Sequence, residues 1–81
     1  MMQIHVLLFG VATDLVGKSS FDLSVAPDIT VAQFKDILTV EYPEMEKLNA
    51  YAIAVNENYA SDETALRNQD VIAVIPPVSG R

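Results

Sequence analysis

A chain of 81 residues without a break in composition predicts one domain spanning 1–81. At that size a fold buries only about 60–65% of its unfolded surface, which supports one sheet and one helix. The absence of cysteine excludes a disulfide framework, a thiolate metal site and a cysteine nucleophile. A net charge of −6, with the basic residues Lys18, Lys35, Lys47, Arg67 and Arg81 scattered, leaves no phosphate-binding stripe and argues against nucleic acid as a partner.

In chain order, Gln3 to Phe9 reads as a strand, with Ile4, Val6 and Leu8 on one side and His5, Leu7 and Phe9 on the other. Both sides are largely apolar, which predicts a central strand. If a helix covers the Ile4 side, Leu7 and Phe9 lie on the opposite one. Phe9 is then either a contact for a partner or a satellite core under a loop. The same opening segment lacks a basic n-region and a cleavage site, so it does not read as a signal peptide. Gly10 to Ser20 reads as a connection, and Phe21 to Val25 as a half-buried strand forming a hairpin with the first.

Thr30-Val31-Ala32-Gln33 matches a capping box, and Ile29 and Phe34 stand where a hydrophobic staple needs them. The predicted helix buries Phe34, Ile37 and Leu38 and stops near Glu41, ahead of Pro43. Pro43 to Ala50 is an acidic link. Its carboxylates, Glu44 and Glu46, lack a histidine or second ligand cluster, so a solvated loop is favoured over a metal site. Tyr51 to Val55 is the next strand; its alanines, Ala52 and Ala54, would admit close approach of a helix or a neighbouring layer. Asn56-Glu57-Asn58 is a tight turn, Tyr59 and Ala60 begin a short return strand, and Leu66 plugs the core beneath the polar stretch Ser61 to Asn68. Val71 to Ile75, apolar throughout, is expected to be buried on both faces.

The order β-β-α-β-(short β)-β, with the two most apolar strands first and last, predicts an α+β fold. Those two strands lie side by side in the middle of a mixed sheet of four to five strands, with one main helix across one face. This is a β-grasp, or ubiquitin-like, roll.

The inventory for catalysis is poor. His5 is the single histidine, and a lone strand histidine is more often structural or exposed than catalytic. The three glycines, Gly10, Gly17 and Gly80, make no phosphate cradle. The chain is therefore not expected to catalyse a reaction alone. What remains is the C-terminus. Pro76 and Pro77 cannot extend a ladder, Val78 offers one apolar anchor, and Ser79 and Gly80 keep the tail slim. Residues 76–81 read as a projecting tail suited to entering another protein's active site, the alternative being an ordinary frayed terminus.

At these residues the chain resembles the small subunits of molybdopterin synthase, a ubiquitin-like sulfur-carrier family. The resemblance covers essentially the whole chain. It is carried by Ile4-His5-Val6-Leu7-Leu8-Phe9-Gly10, by Asp14-Leu15-Val16-Gly17, by Ala54-Val55-Asn56, and most specifically by Leu66 to Asp70 continuing through Val71 to Gly80. It implies a non-catalytic subunit of a sulfurtransferase complex in molybdenum cofactor biosynthesis. An ATP-using, ubiquitin-activating-like adenylyltransferase would adenylate the C-terminus, which then becomes a thiocarboxylate. The tail would insert into the large, catalytic synthase subunit and donate sulfur to the precursor pterin. It further implies a cytoplasmic heterotetramer, with no permanently bound cofactor or metal, no nucleic acid and no membrane. Phe9 and Ile75 fall at apolar positions of partner contact in the family, and Tyr59 at another where an aliphatic residue is usual.

Two departures stand out. Gln69 replaces a glycine common before the aspartate. Arg81 replaces the last glycine of a Gly-Gly ending, so Gly80 and Arg81 form the tip, and a long cationic side chain is expected to obstruct a narrow tunnel. Family membership and competence as a carrier are thus separate questions. The competing readings are a sulfur carrier for thiazole or transfer-RNA thiolation, against which Ile75-Pro76-Pro77-Val78-Ser79 argues, and a binding module or protein modifier that uses the apolar sheet face, which Arg81 favours.

Overall fold

The computed structural model describes residues 1–48 and 50–77. Strand β1 (Met2–Leu8) alternates as expected: Met2, Ile4, Val6 and Leu8 are buried, while His5 and Leu7 on the other side are only half-buried. It pairs antiparallel with β2 (Ser20–Val25), Val6 opposite Phe21 and Ile4 opposite Leu23. It pairs parallel with β5 (Val71–Ile75), Val6 opposite Ile72 and Leu8 opposite Val74. β5 in turn pairs antiparallel with β3 (Ala52–Val55), whose hairpin partner is the two-residue β4 (Asn58–Tyr59). The sheet order is β2-β1-β5-β3-β4, the β-grasp arrangement, with the first and last strands adjacent near its middle.

The main helix, α2 (Val31–Glu41), begins at the predicted capping box. The Gln33 N–H donates to Thr30 Oγ1 at 3.3 Å, and the Thr30 N–H donates to Gln33 Oε1 at 2.8 Å, which satisfies two groups that the helix would otherwise leave open. Val31, Phe34 and Leu38 are fully buried in one core with Ile4, Val6, Ile53, Leu66, Ile72 and Val74. Ile37 packs at the margin of that core. The segment after α2 differs from expectation in one respect. Pro43–Lys47 forms a 3-10 turn that drops Met45 into the core, while Glu44 and Glu46 stay exposed.

The segment Gly10 to Ser20 is not a plain connection. It holds a second, short helix, α1 (Val11–Val16), that buries Ala12 and lays Val16 against the core. Six residues are too few for hydrophobic period to announce a helix, and tertiary packing holds this one. Its ends are set by glycines. Gly17, at φ 86°, closes it in the left-handed conformation, its N–H donating to the Thr13 carbonyl at 2.8 Å. Gly10 opens it at φ 55° and ψ −135°, and a Cβ there would lie 3.3 Å from Pro76 Cγ. Gly10 therefore lets the turn after β1 approach the exit of β5. Substituting Gly10→Ala is expected to lower stability by about 1–3 kcal/mol through backbone strain, read as a fall in the urea midpoint with unchanged slope.

The turn expected over Asn56-Glu57-Asn58 is one residue shorter: Asn56 and Glu57 take positive φ, 51° and 75°, the geometry that joins two strands through two residues, and Asn58 already belongs to β4. The expectation for β5 is corrected. Ile72 and Val74 are buried, but Val71, Ala73 and Ile75 are only partly so. The helical layer covers one side of the sheet, and among the described residues no second layer covers the other. The alanines of β3 share that side, Ala52 exposed and Ala54 itself buried. Ala54 pairs with Ala73 and Ala52 with Ile75, so they lie on the side away from α2 rather than beneath it.

Candidate functional site: the open sheet face and the exit of β5

Register brings the residues of the open face into rows. Leu7 of β1, Ala73 of β5, Ala54 of β3 and Tyr59 of β4 stand opposite one another across four adjacent strands. Beside them Ala52 stands opposite Ile75, and Phe9, one residue beyond β1, lines a groove of about 400 Å³ with Leu7, Val71, Ala73, Asn56 and Glu57. The floor of this face is made of small or half-buried side chains, and its two bulkiest members project from it: Phe9 is 48% exposed and Tyr59 77%. Exposed apolar patches of this kind are the class of surface at which proteins meet partners.

The polar end of the face is built by the turn into β5. Asp70, only 9% exposed, accepts from the Arg67 N–H at 2.8 Å and from Asn56 Nδ2 at 2.9 Å. Asn56 Oδ1 accepts from the Val71 N–H at 2.9 Å, so one aspartate and one asparagine tie the β3–β4 turn to the root of β5. Next to them His5, its side chain 36% exposed, lies 2.6 Å from Asp22 through Nδ1 and 2.9 Å from Gln69 through Nε2. Hydrogen bonding to Asp22 first, and to Gln69 second, raises the imidazole pKa above its ordinary 6.5. Gln69 takes φ 71°.

The structure thus gathers three of the residues singled out in the sequence, Phe9, Tyr59 and Ile75, on one face. Pro76 is half-buried near Gly10. Pro77 is exposed and lines a shallower groove of about 280 Å³ with Ala50, Tyr51, Ala52 and Ile75. Val78, Ser79, Gly80 and Arg81 lie outside the described residues. Sequence reasoning did not mark Ala54 and Ala73 as part of the face. Their signal was small size at alternate positions of otherwise branched strands, and only the register shows that the two meet. Among the described residues no cluster of three or more His, Asp or Glu is placed to hold a metal ion.

A family model described as the ThiS family matches residues 6–80, nearly the whole chain. The chain belongs to the ThiS family. A curated relative in step with this, the molybdopterin synthase sulfur carrier subunit of Arabidopsis thaliana, is 32% identical over 80 residues, covering 98% of this chain and 83% of that one. Among solved structures, the protein–protein complex of subunits 1 and 2 of the molybdopterin-converting factor from Helicobacter pylori contains a chain 27% identical to this ThiS-family protein. Its TM-score is 0.70 and the match covers 99% of this chain and 100% of that chain. The solution structure of small archaeal modifier protein 1 from Methanosarcina acetivorans is 25% identical with a TM-score of 0.83, over 100% of this chain and 98% of that one.

Proposed function

We propose that this ThiS-family chain is the sulfur carrier subunit of a molybdopterin synthase. The observation that carries the reading is the match along 98% of its length to a relative of that name. The geometry supports it. A strand in the middle of the sheet leads straight into the prolines of the tail, and an apolar face stands beside the exit, where a large subunit would seat. Phe9, Tyr59 and Ile75 would then be docking contacts, and Pro76, Pro77, Val78 and Ser79 would form the stem that carries Gly80 and Arg81 inward.

In this reading the chain supplies a carboxylate and a surface, and other proteins supply catalysis. A ubiquitin-activating-like adenylyltransferase joins the terminal carboxylate to the α-phosphate of ATP and releases pyrophosphate. A sulfur nucleophile displaces AMP and leaves a thiocarboxylate. In the large subunit that sulfur passes to the precursor pterin, and water returns the terminus to a carboxylate. The setting is the cytoplasm, without membrane or nucleic acid; among the described residues no helix is long and apolar enough to cross a membrane.

The test is the intact mass of the protein before and after incubation with the activating enzyme, ATP and a sulfur donor, beside an Arg81→Gly variant. Exchange of one oxygen for sulfur on the unaltered chain is the expected result for a competent carrier. Exchange only on Arg81→Gly places the block at the guanidinium side chain and keeps the carrier fold. Exchange on neither, with an activating enzyme active on another carrier, overturns the proposal. A second reading, a protein modifier, is favoured by the full-length likeness to small archaeal modifier protein 1. It predicts covalent attachment to lysines of other proteins, visible as higher-mass conjugates in the same reaction.

A further inference from the structure

We propose that His5, Asp22 and Gln69 form a proton-operated clasp at the root of β5, closed when the imidazole carries a proton and loosened when it does not. The three residues come from three neighbouring segments: β1, β2 and the turn that enters β5. Both ring nitrogens of His5 face acceptors, the Asp22 carboxylate at 2.6 Å and the Gln69 side-chain oxygen at 2.9 Å. With the Gln69 oxygen turned to the ring, a neutral imidazole has one N–H and satisfies one of them, while the imidazolium has two and satisfies both; deprotonation at Nε2 releases the Gln69 amide to turn over.

What the second bond holds is a strained residue. Gln69 has φ 71°, a conformation that non-glycine side chains disfavour. The turn is stitched to β1 by the Gln69 N–H donating to the Gln3 carbonyl at 2.6 Å, the His5 N–H to the Asp70 carbonyl at 2.9 Å, and the Gln3 N–H to Asn68 Oδ1 at 2.8 Å. The His5–Gln69 contact is the side-chain bond that fixes Gln69 over this stitching. Its loss frees the side chain and leaves the strained backbone supported by the ladder alone.

The charges around the imidazole give the device its direction. Asp22 faces it from β2. From β1 and from the β5 side the neighbours on the same face are Gln3, Leu7, Gln69 and Val71, none of them charged, and α2 lies across the sheet. With carboxylates as the charged groups on this face among the described residues, Asp22 in contact and Glu57 across the groove lined by Leu7 and Val71, protonation is favoured in the folded state. The clasp contributes fully below the ordinary histidine value of 6.5 and is lost as the pH rises through the higher folded value.

The experiment is a nitrogen-15 NMR titration of the His5 ring on the full chain from about pH 5 to about pH 9, with amide hydrogen exchange at Gln3, His5 and Gln69 corrected for the intrinsic pH dependence of exchange. The expected result is a ring protonated at both nitrogens at its midpoint's acid side, a midpoint above 6.5, and a loss of protection at those amides that follows the same midpoint. In Asp22→Asn the midpoint moves down. In Gln69→Gly, which removes the clasped side chain and relieves the positive φ, protection no longer follows the state of His5. A midpoint at or below 6.5 in the unaltered chain, a neutral ring that keeps its proton on Nε2 and so holds Gln69 after titration, or protection that stays constant through the titration overturns the proposal. The titration of the unaltered chain alone decides it, whatever the stability of the variants.

Discussion

Replacing Phe9 with aspartate is expected to leave the thermal midpoint nearly unchanged and to weaken capture of the large synthase subunit by roughly 30-fold or more, the loss typical of an anchor residue at an interface centre. Phe9 stands beyond the end of β1 and is 48% exposed, so little of the fold rests on its ring. Its position over Leu7 and Ala73 puts it in the apolar groove beside the exit of β5. An aspartate there would have to be stripped of water as the partner seats, with no cation among the residues lining the groove to receive it. Val40→Asp is the matched control. Val40 is 77% exposed on α2, the layer on the other side of the sheet, and the same charge there should change affinity by no more than about threefold. Titration calorimetry of each variant against the purified large subunit checks both. Equal binding by Phe9→Asp and the unaltered chain would remove the open face from the docking surface.

Asp70→Ala is expected to cost about 2–3 kcal/mol of folding stability, or roughly 10–20 °C in the thermal midpoint of a domain this small. The carboxylate is nearly out of solvent and accepts from two donors on different segments, the Arg67 N–H and the Asn56 amide. Alanine leaves both without their partner. It also releases Asn56, whose oxygen holds the Val71 N–H at the first rung of β5. Asp70→Asn keeps one acceptor oxygen and should recover part of the loss. Calorimetric melting of the three proteins tests this. Equal midpoints would mean that water replaces the aspartate without penalty.

The parts of this fold legible in the sequence are those written within a few neighbouring residues. The start of α2 is encoded in Thr30 and Gln33, and the two hydrogen bonds predicted from that pair are both formed. The Asn56-Glu57 turn and the plug at Leu66 are of the same kind. What escaped was set by distant partners. α1 is six residues between two glycines, held because Ala12 finds the core. Met45 reads as part of an acidic link until the 3-10 turn points it inward. The uniform apolarity of β5 was read as burial on both faces, because hydropathy cannot separate a covered face from one left bare. The same ambiguity hid the role of Ala54 and Ala73. Phe9 was marked by the alternation of the first strand, Tyr59 and Ile75 through family resemblance, and the residues that join them into one surface emerge only from strand register.

The parallel pairing of β1 with β5 has a mechanical consequence. The tail continues from the end of β5, so tension along it, resisted by the body of the domain through β1, pulls one strand lengthwise past the other. The load is shear: the evenly spaced bonds from His5–Val71 to Leu8–Val74 share it together instead of opening one at a time like a zip. The domain can be hauled by its tail without being unravelled from it.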